Sequence, residues 1–348
     1  MGKIRIVDNP SKRDWAQFLD KIDVGNLQQS FEYGEVVKLI NPHTKVIRLL
    51  ALNDNNAPVG LVQARYNSKF GFGDRLEVGG VYGYGPVVDN IEAKQKVLSE
   101  LVTSLEKFAK KEKICESFIF TLERVNVLET LDYVFERSFN VYKVSLDGDV
   151  EDLWKRIAHN KRRNIKKAQK HGVEVICSQS HDDLASFYKM HVISGKRAGF
   201  IPQPFTYFDS FLKVFRALGK AKVFLALFDG KPVAGVFVVI HGNTAYALGA
   251  GSYEEGWHVR SNDILHWKAM EWACNEGLSY YHMGFVSDPP PIEGSPGWGL
   301  WRWKREWKGL LEKVFVYHKV FMPKFKKFFL TPYEKIYDLK NKLAFKRD

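Results

Sequence analysis

Only three cysteines, Cys115, Cys177 and Cys274, occur in 348 residues. An odd, widely spaced set gives no disulfide framework, so free buried thiols in a reducing cytoplasm are expected. No apolar run approaches the ~18 residues that a membrane-spanning helix requires, and 236–240 is among the longest. The first residues include Lys3 and Arg5, but no apolar segment follows them, so no secretion signal is expected. The G-x-x-x-x-G-K-[ST] loop is missing, which argues against phosphate-loop nucleotide hydrolysis. H-E-x-x-H and paired C-x-x-C motifs are missing too. The ten histidines are scattered, and His258 and His266 read as surface or core residues, so no metal site is expected. Neither a G-x-S-x-G elbow nor a dinucleotide fingerprint is present. What remains is chemistry that needs positioning and a cation or two, without a bound metal.

What is present is a globular composition, 45% hydrophobic with 14% aromatic and 26% charged residues, long enough for two ordinary domains. The net charge of +12 is unevenly placed. Residues 155–171 hold eight Lys and Arg and no acid, and residues 313–348 hold ten against three acids. Such stretches imply anionic partners: nucleic acid, a phosphorylated substrate or an anionic membrane face. A solvated helix face is the commoner reading of any one of them.

In chain order, residues 11–20 and 31–40 read as helices, with Ser11 as an N-cap and Pro42 as a stop. Strands are expected over 44–52, 58–66 and 75–81, followed by the loop Tyr82-Gly83-Tyr84-Gly85-Pro86-Val87-Val88-Asp89. An amphipathic helix over 91–111 carries Val97, Leu98, Leu101, Leu105 and Phe108 on one face. Strands over 117–122 and 140–146 close the first half. After Gly148-Asp149 the same order recurs. Helices are expected over 150–171, 181–196 and 205–218, strands over 222–228, 232–241 and 244–250, a helix over 262–275 and a strand over 280–284. A β-run over 314–320 and a basic helical tail from about 325 end the chain. The fold class expected is α+β, with two tandem domains of mixed, mostly antiparallel sheets flanked by helices. The boundaries fall at 1–148 and 149–322, with a basic C-terminal helix over 323–348.

Between these last elements lies Gly297-Trp298-Gly299-Leu300-Trp301-Arg302-Trp303-Lys304-Arg305-Glu306-Trp307-Lys308, which holds four of the nine tryptophans. Trp298 and Trp301 are one helical turn apart, as are Trp303 and Trp307, on different faces. One pair fits a core, and the other, with Lys304, fits the lining of a cleft. Two core tryptophans on a basic helix are an equally ordinary account.

Several segments together resemble the Fem-type (FemABX) peptidoglycan bridge-forming aminoacyltransferases, which consist of two tandem acetyltransferase-like (GNAT) domains. Gln28-Gln29-Ser30-Phe31-Glu32-Tyr33-Gly34 looks like that family's Q-S-x-x-W/Y-G segment, and Tyr84-Gly85-Pro86-Val87-Val88-Asp89 resembles its Y/R-G-P-V-x-D loop. The run from Lys161 to Ala168 followed by Gly172-Val173 is similar to K-x-R-x-N-I-R-x-A…G-V, the most specific of the matches. Arg197-Ala198-Gly199-Phe200, Tyr246 with Gly249, and Trp303-Lys304 continue the pattern in order. The chain departs from it where the family often reads F-K-x-G-F-G, and the helical-hairpin insertion of some members is absent. Ile201 stands where an aromatic is often found.

The resemblance implies transfer of an amino acid from aminoacyl-tRNA to the amine of a muropeptide-type cell-wall precursor. It implies no cofactor, since the donor ester is already activated. It puts Lys304 at the acyl-transfer centre, where a cation stabilises a tetrahedral oxyanion, beside Trp303, and so leaves Trp298 and Trp301 to packing. Asp89 is the candidate base for the attacking amine, or equally an N-cap of the helix that follows. Lys38 and Arg197 would hold phosphates of the phosphorylated or lipid-linked acceptor; an exposed helix lysine and a helix-end arginine are their ordinary alternatives. Tyr84 and Tyr246 would line the acceptor channel, although tyrosines in strands commonly just pack. Arg162, Lys166 and Lys170, at i, i+4 and i+8, would face the tRNA acceptor stem, with Ile157, Ile165 and Ala168 toward the core. The C-terminal tail would lie on an anionic bilayer or pack on the second domain. A cytoplasmic monomer, peripheral at the inner membrane face, is the expected state. Two other readings stay open: an acyl-CoA-dependent N-acyltransferase of the same fold, against which no Q/R-x-x-G-x-G/A pyrophosphate loop is visible, and a non-catalytic RNA- or membrane-surface-binding protein.

Overall fold

Strand β1 (Arg5–Asp8) and helices α1 (Lys12–Ile22) and α2 (Phe31–Ile40) begin the chain of the computed structural model. It describes residues 3–22, 26–69, 72–89, 92–295 and 297–322. Ser30 caps α2 by accepting a hydrogen bond from the Tyr33 amide. Then come β2 (Thr44–Leu52) and β3 (Pro58–Lys69). The turn between them forms because Asn53 Oδ1 accepts from the amides of both Asn55 and Ala57. After β4 (Phe72–Val78) and β5 (Val87–Val88), helix α3 (Lys94–Lys111) leads to β6 (Ile114–Thr121) and the short α4 (Asn126–Thr130). The expected face of α3 is its buried one, with Val97, Leu101 and Leu105 inaccessible.

The chain divides into two units. The first comprises the residues up to Ser138 together with those from Lys313, and the second runs Phe139–Glu312. The expected boundary at 148/149 therefore falls inside the second unit, and the segment from Lys313 groups with the first. The physical reason is strand pairing. β13 (Leu310–Val320) pairs antiparallel with β6 through Phe315–Val320 and completes the first unit's sheet in the order β1-β2-β3-β4-β6-β13.

The second unit opens on β7 (Val134–Ser145), which enters it at Phe139. It continues through α5 (Val150–Arg156), α6 (His159–Lys170), β8 (Glu174–Ser178), α7 (His181–Ala198), α8 (Phe205–Arg216) and β9 (Ala221–Phe228). β10 (Lys231–His241), β11 (Thr244–Ser252), α9 (Glu255–His258), α10 (Ser261–Asn275), β12 (Tyr280–Val286) and α11 (Trp298–Arg305) follow. Its sheet order is β7-β12-β11-β10-β9-β8. Every pairing in it is antiparallel except β11 with β12. The first unit has the same plan, since β4 and β6 are its one parallel pair among the described residues. Two domains of one design, as the repeated order of elements predicts, are what the chain builds.

Two differences from the sequence reading have local causes. β1 and β8 lie at sheet edges and are four and five residues long, too short to show a period. The single helix expected over 150–171 is broken at Ile157 and Ala158, both extended. There the Ala158 amide donates to the Glu306 carbonyl at 2.9 Å instead of continuing the helix. The tail expected over 323–348 lies outside the described residues. Among the described residues, no helix is long and apolar enough to cross a membrane.

Candidate active site in the second unit

β11 and β12 are hydrogen-bonded only where Thr244, Ala245 and Tyr246 face Tyr280, Tyr281 and His282. Beyond that point β11 runs on to Ser252 and β12 to Val286 without pairing, so the two strands part. In the parted half, β12 bulges against β7 between His282 and Phe285. Gly284 sits there with φ of 77°, a value only glycine adopts without strain. The His282 ring holds the bulge by accepting the Gly284 amide on Nδ1 at 3.0 Å. The bulge leaves the Phe285 side chain exposed, and the Phe285 carbonyl receives the ammonium of Lys304 at 3.0 Å.

Lys304 comes from α11 and is 6% exposed. It forms no ion pair among the described residues. Burial pushes its ammonium down to about 8, because a charge in an apolar site loses the hydration that favours it. Two histidines lie in the same field. His266 is driven down to about 3, first by burial and then by Lys161 and Lys304. His282 is held well below its ordinary value by burial, Lys143 and Lys304. Both are neutral at physiological pH, and His266 Nδ1 is 3.0 Å from the Tyr281 hydroxyl.

Beside Lys304 stands a second, fully buried ammonium. Lys161, the first turn of α6, is 0% exposed and pairs with Asp263 at 2.6 Å and Glu306 at 3.2 Å. Its Nζ lies 4.6 Å from the ring centre of Trp303 and 4.8 Å from that of Trp307. The Trp303 indole donates to the same Asp263 oxygen at 2.7 Å, and Glu306 accepts from Asn160 at 2.9 Å. Sequence reasoning missed Lys161, Asp263 and Glu306. Eight cations in one stretch read as a surface, and nothing in their charge marks Lys161 as the inward one; only the spacing of Ile157, Ile165 and Ala168, which are indeed buried, points that way.

Residues 155–305 match the acetyltransferase (GNAT) domain family. That segment is a GNAT domain. The match spans α6, the parted strands and α11, and so contains both lysines. No curated protein sequence is similar to the chain. Among solved structures, FemX shares the fold with a TM-score of 0.77 at 18% identity, covering 93% of this chain and 99% of its own. A tandem GNAT protein from the clavulanic acid biosynthesis pathway follows at 0.58 and 9%, covering 91% and 98%. L-PGS from Bacillus licheniformis follows at 0.53 and 15%, covering 88% and 91%. The tandem GNAT architecture is thus that of the Fem-type fold, and the class of enzyme is acyltransferase.

Within the GNAT domain the expected residues separate. Trp303 and Lys304 are adjacent on α11 as required, but Trp303 is committed to Asp263 and Lys161. The most buried of the four tryptophans is Trp307, at 1%, not Trp298 or Trp301; Trp301 is half-buried with its ring edge-on to Tyr142. Tyr246 is 1% exposed and lies beside His282 in the sheet, so it packs there instead of lining an open channel. Arg197 is exposed at the end of α7, reaches the Ser252 carbonyl at 3.3 Å and lies over the Trp257 ring. Lys166 and Lys170 are exposed on α6, whereas Arg162 is half-buried and donates to the Lys155 carbonyl at 3.2 Å.

The remaining three belong to the first unit. Lys38 is exposed and pairs with Glu35 at 3.1 Å. Tyr84 packs at the edge of the core around Trp15 and Phe18, its backbone held by Asn26. Asp89 is not the N-cap of α3, which starts at Lys94 after Ala93, and the Asp89 carboxylate meets Lys21 at 2.6 Å. The Gln28-Gln29-Ser30 segment serves the fold. Gln29 pairs with the Gln63 backbone like an added strand residue, and a side chain at Gly34 would overlap the Arg48 guanidinium. Among the described residues no cluster of His, Cys, Asp and Glu is arranged to hold a metal ion.

Proposed function

We propose that the chain is a Fem-type aminoacyltransferase, forming an amide between the amino acid of an aminoacyl-tRNA and the amine of a muropeptide-type cell-wall precursor. The observation that carries this reading is Lys304: a buried ammonium without a carboxylate partner among the described residues, bonded to the Phe285 carbonyl in the half of β12 that has left β11, in an acyltransferase domain. The acceptor amine attacks the ester carbonyl and forms the new C–N bond. The carbonyl oxygen becomes an oxyanion, which the ammonium stabilises in place of the water it has lost. Collapse breaks the C–O bond, and the amine proton leaves with the ribose hydroxyl. Lys304 keeps its own proton throughout. Donor and acceptor identities rest on the ordered motif matches and on the fold shared with FemX. A tRNA donor confines the reaction to the cytoplasm.

The parted strands and the acetyltransferase character of the domain also favour an acyl-CoA donor as a second reading. Presenting a lysine-bearing muropeptide with charged tRNA in one reaction and acetyl-CoA in another separates them by the mass added to the acceptor. Product from charged tRNA alone supports the proposal, and product from acetyl-CoA alone replaces it.

Two expectations follow from the charges. Since Lys304 is driven down to about 8, roughly nine-tenths of it is cationic at pH 7. The rate of amide formation should fall with an alkaline limb centred near that value as the cation is lost, measured under saturating substrates. Replacing both Lys166 and Lys170 by Ala should weaken binding of charged tRNA and lower the slope of log affinity against log salt by about 1 to 2. Native-like salt dependence in a filter-binding titration would remove α6 from the tRNA interface.

A further inference from the structure

Lys161 is an unusual residue to find inside a protein. A fully buried ammonium costs hydration that its partners seldom more than repay, and well-packed apolar residues of similar volume commonly serve stability as well or better. What an ionic cluster supplies that apolar packing does not is direction. Here the directions converge on one short helix. α11 has eight residues, begins at Gly297 without a side-chain cap, and is too short to hold its shape alone. Three of the four contacts of the Lys161 ammonium lie on or just after its last turn: the ring of Trp303, the carboxylate of Glu306 and the ring of Trp307. The fourth, Asp263, is in the first turn of α10 and also receives the Trp303 indole N–H.

The backbone adds to the same clamp, because the Ala158 amide at the head of α6 donates to the Glu306 carbonyl. The three helices α6, α10 and α11 therefore meet at one cation, and Lys304 is bracketed between Trp303 and Glu306. Among the described residues the Lys304 ammonium makes one hydrogen bond, to the Phe285 carbonyl, which cannot by itself fix the long side chain or the helix that carries it.

We infer that Lys161 is a positioning residue: shared by Asp263 and Glu306 and enclosed by two indoles, its ammonium locks the last turn of α11 and so holds Lys304 against the Phe285 carbonyl of β12. The role rests on the reading of Lys304 as the acyl-transfer cation, but its geometry can be tested without any substrate. Trace labelling with acetic anhydride across a pH series, followed by peptide mass spectrometry, reports the titration midpoint of Lys304. The native protein should give a midpoint near 8. In Lys161→Met the released helix lets Lys304 reach water, and the midpoint should rise by about one unit or more.

Lys161→Met leaves the buried Asp263 and the half-buried Glu306 without their shared cation and is at risk of unfolding. The combined Lys161→Met, Asp263→Asn, Glu306→Gln variant removes all three charges at nearly constant volume and keeps the test open. It should melt at or above the native temperature yet show the same raised midpoint. A native midpoint for Lys304 in the folded triple variant would overturn the inference and leave the cluster as packing. Failure of the native protein to form amide from charged tRNA would count against the proposed function instead, and would not alter the labelling result.

Discussion

Lys304→Met should be more stable than the native protein at pH 7 by up to about 3 kcal/mol while losing its transferase activity. The folded protein binds the Lys304 proton with an affinity near pH 8, against 10.5 for an unperturbed lysine. Each unit of that difference corresponds to about 1.4 kcal/mol. The unfolded chain therefore holds its proton over a range where the folded chain has released it, and native stability rises as pH climbs from about 8 to 10.5. Below 8 the whole penalty is present. Methionine fills the same space without a charge and removes it. Urea denaturation at pH 7 and pH 9.5 should show the advantage of the variant shrinking to about 1 kcal/mol at the higher pH. A variant that is less stable than the native protein at both would mean that Lys304 is held by interactions that more than repay its burial, as a structural residue would be.

The second large effect concerns the tryptophans. Trp307→Ala should cost about 3 to 5 kcal/mol, the usual range for removing a large aromatic from a core. Trp307 is 1% exposed, stacks edge-on against Trp303 at 5.7 Å and covers one side of the Lys161 ammonium. Its loss opens a cavity beside an ion cluster, which is a worse place for one than an apolar core. Trp301→Ala should cost only about 1 kcal/mol, since Trp301 is half-buried and its recorded ring contacts are with Tyr142 and Arg305. Chemical denaturation of the two variants side by side checks the order. Equal costs would mean that α11 packs through its whole length and not through its final turn.

How much of this was legible beforehand differs from element to element. The strand over Thr44–Leu52 and the apolar face of α3 follow directly from period, and the tandem plan follows from the repeated order of elements. The position of Lys304 beside Trp303 came from a motif, and the helix carrying them is where the motif put it. The assignment of burial within that helix did not follow. Spacing shows that Trp298 with Trp301 and Trp303 with Trp307 occupy different faces, but which face is inward depends on what arrives from elsewhere. That partner is Lys161, some 140 residues earlier in the sequence, and local pattern carries no information about it. The broken helix at Ile157 and the exchange of strands β7 and β13 have the same origin: both are fixed by partners distant in sequence. Asp89 shows the converse error. A carboxylate before a helix reads as a cap, yet Lys21 claims it.

The central claim is that the Lys304 ammonium stabilises the oxyanion of amide formation. The most direct test is the rate of muropeptide amide formation from charged tRNA at pH 7, measured for the native protein and for Lys304→Met shown by circular dichroism to be folded. The account predicts that kcat falls by about 100- to 1,000-fold, as for the loss of one oxyanion donor, with KM little changed. A folded Lys304→Met protein that turns over within about threefold of the native rate would contradict it.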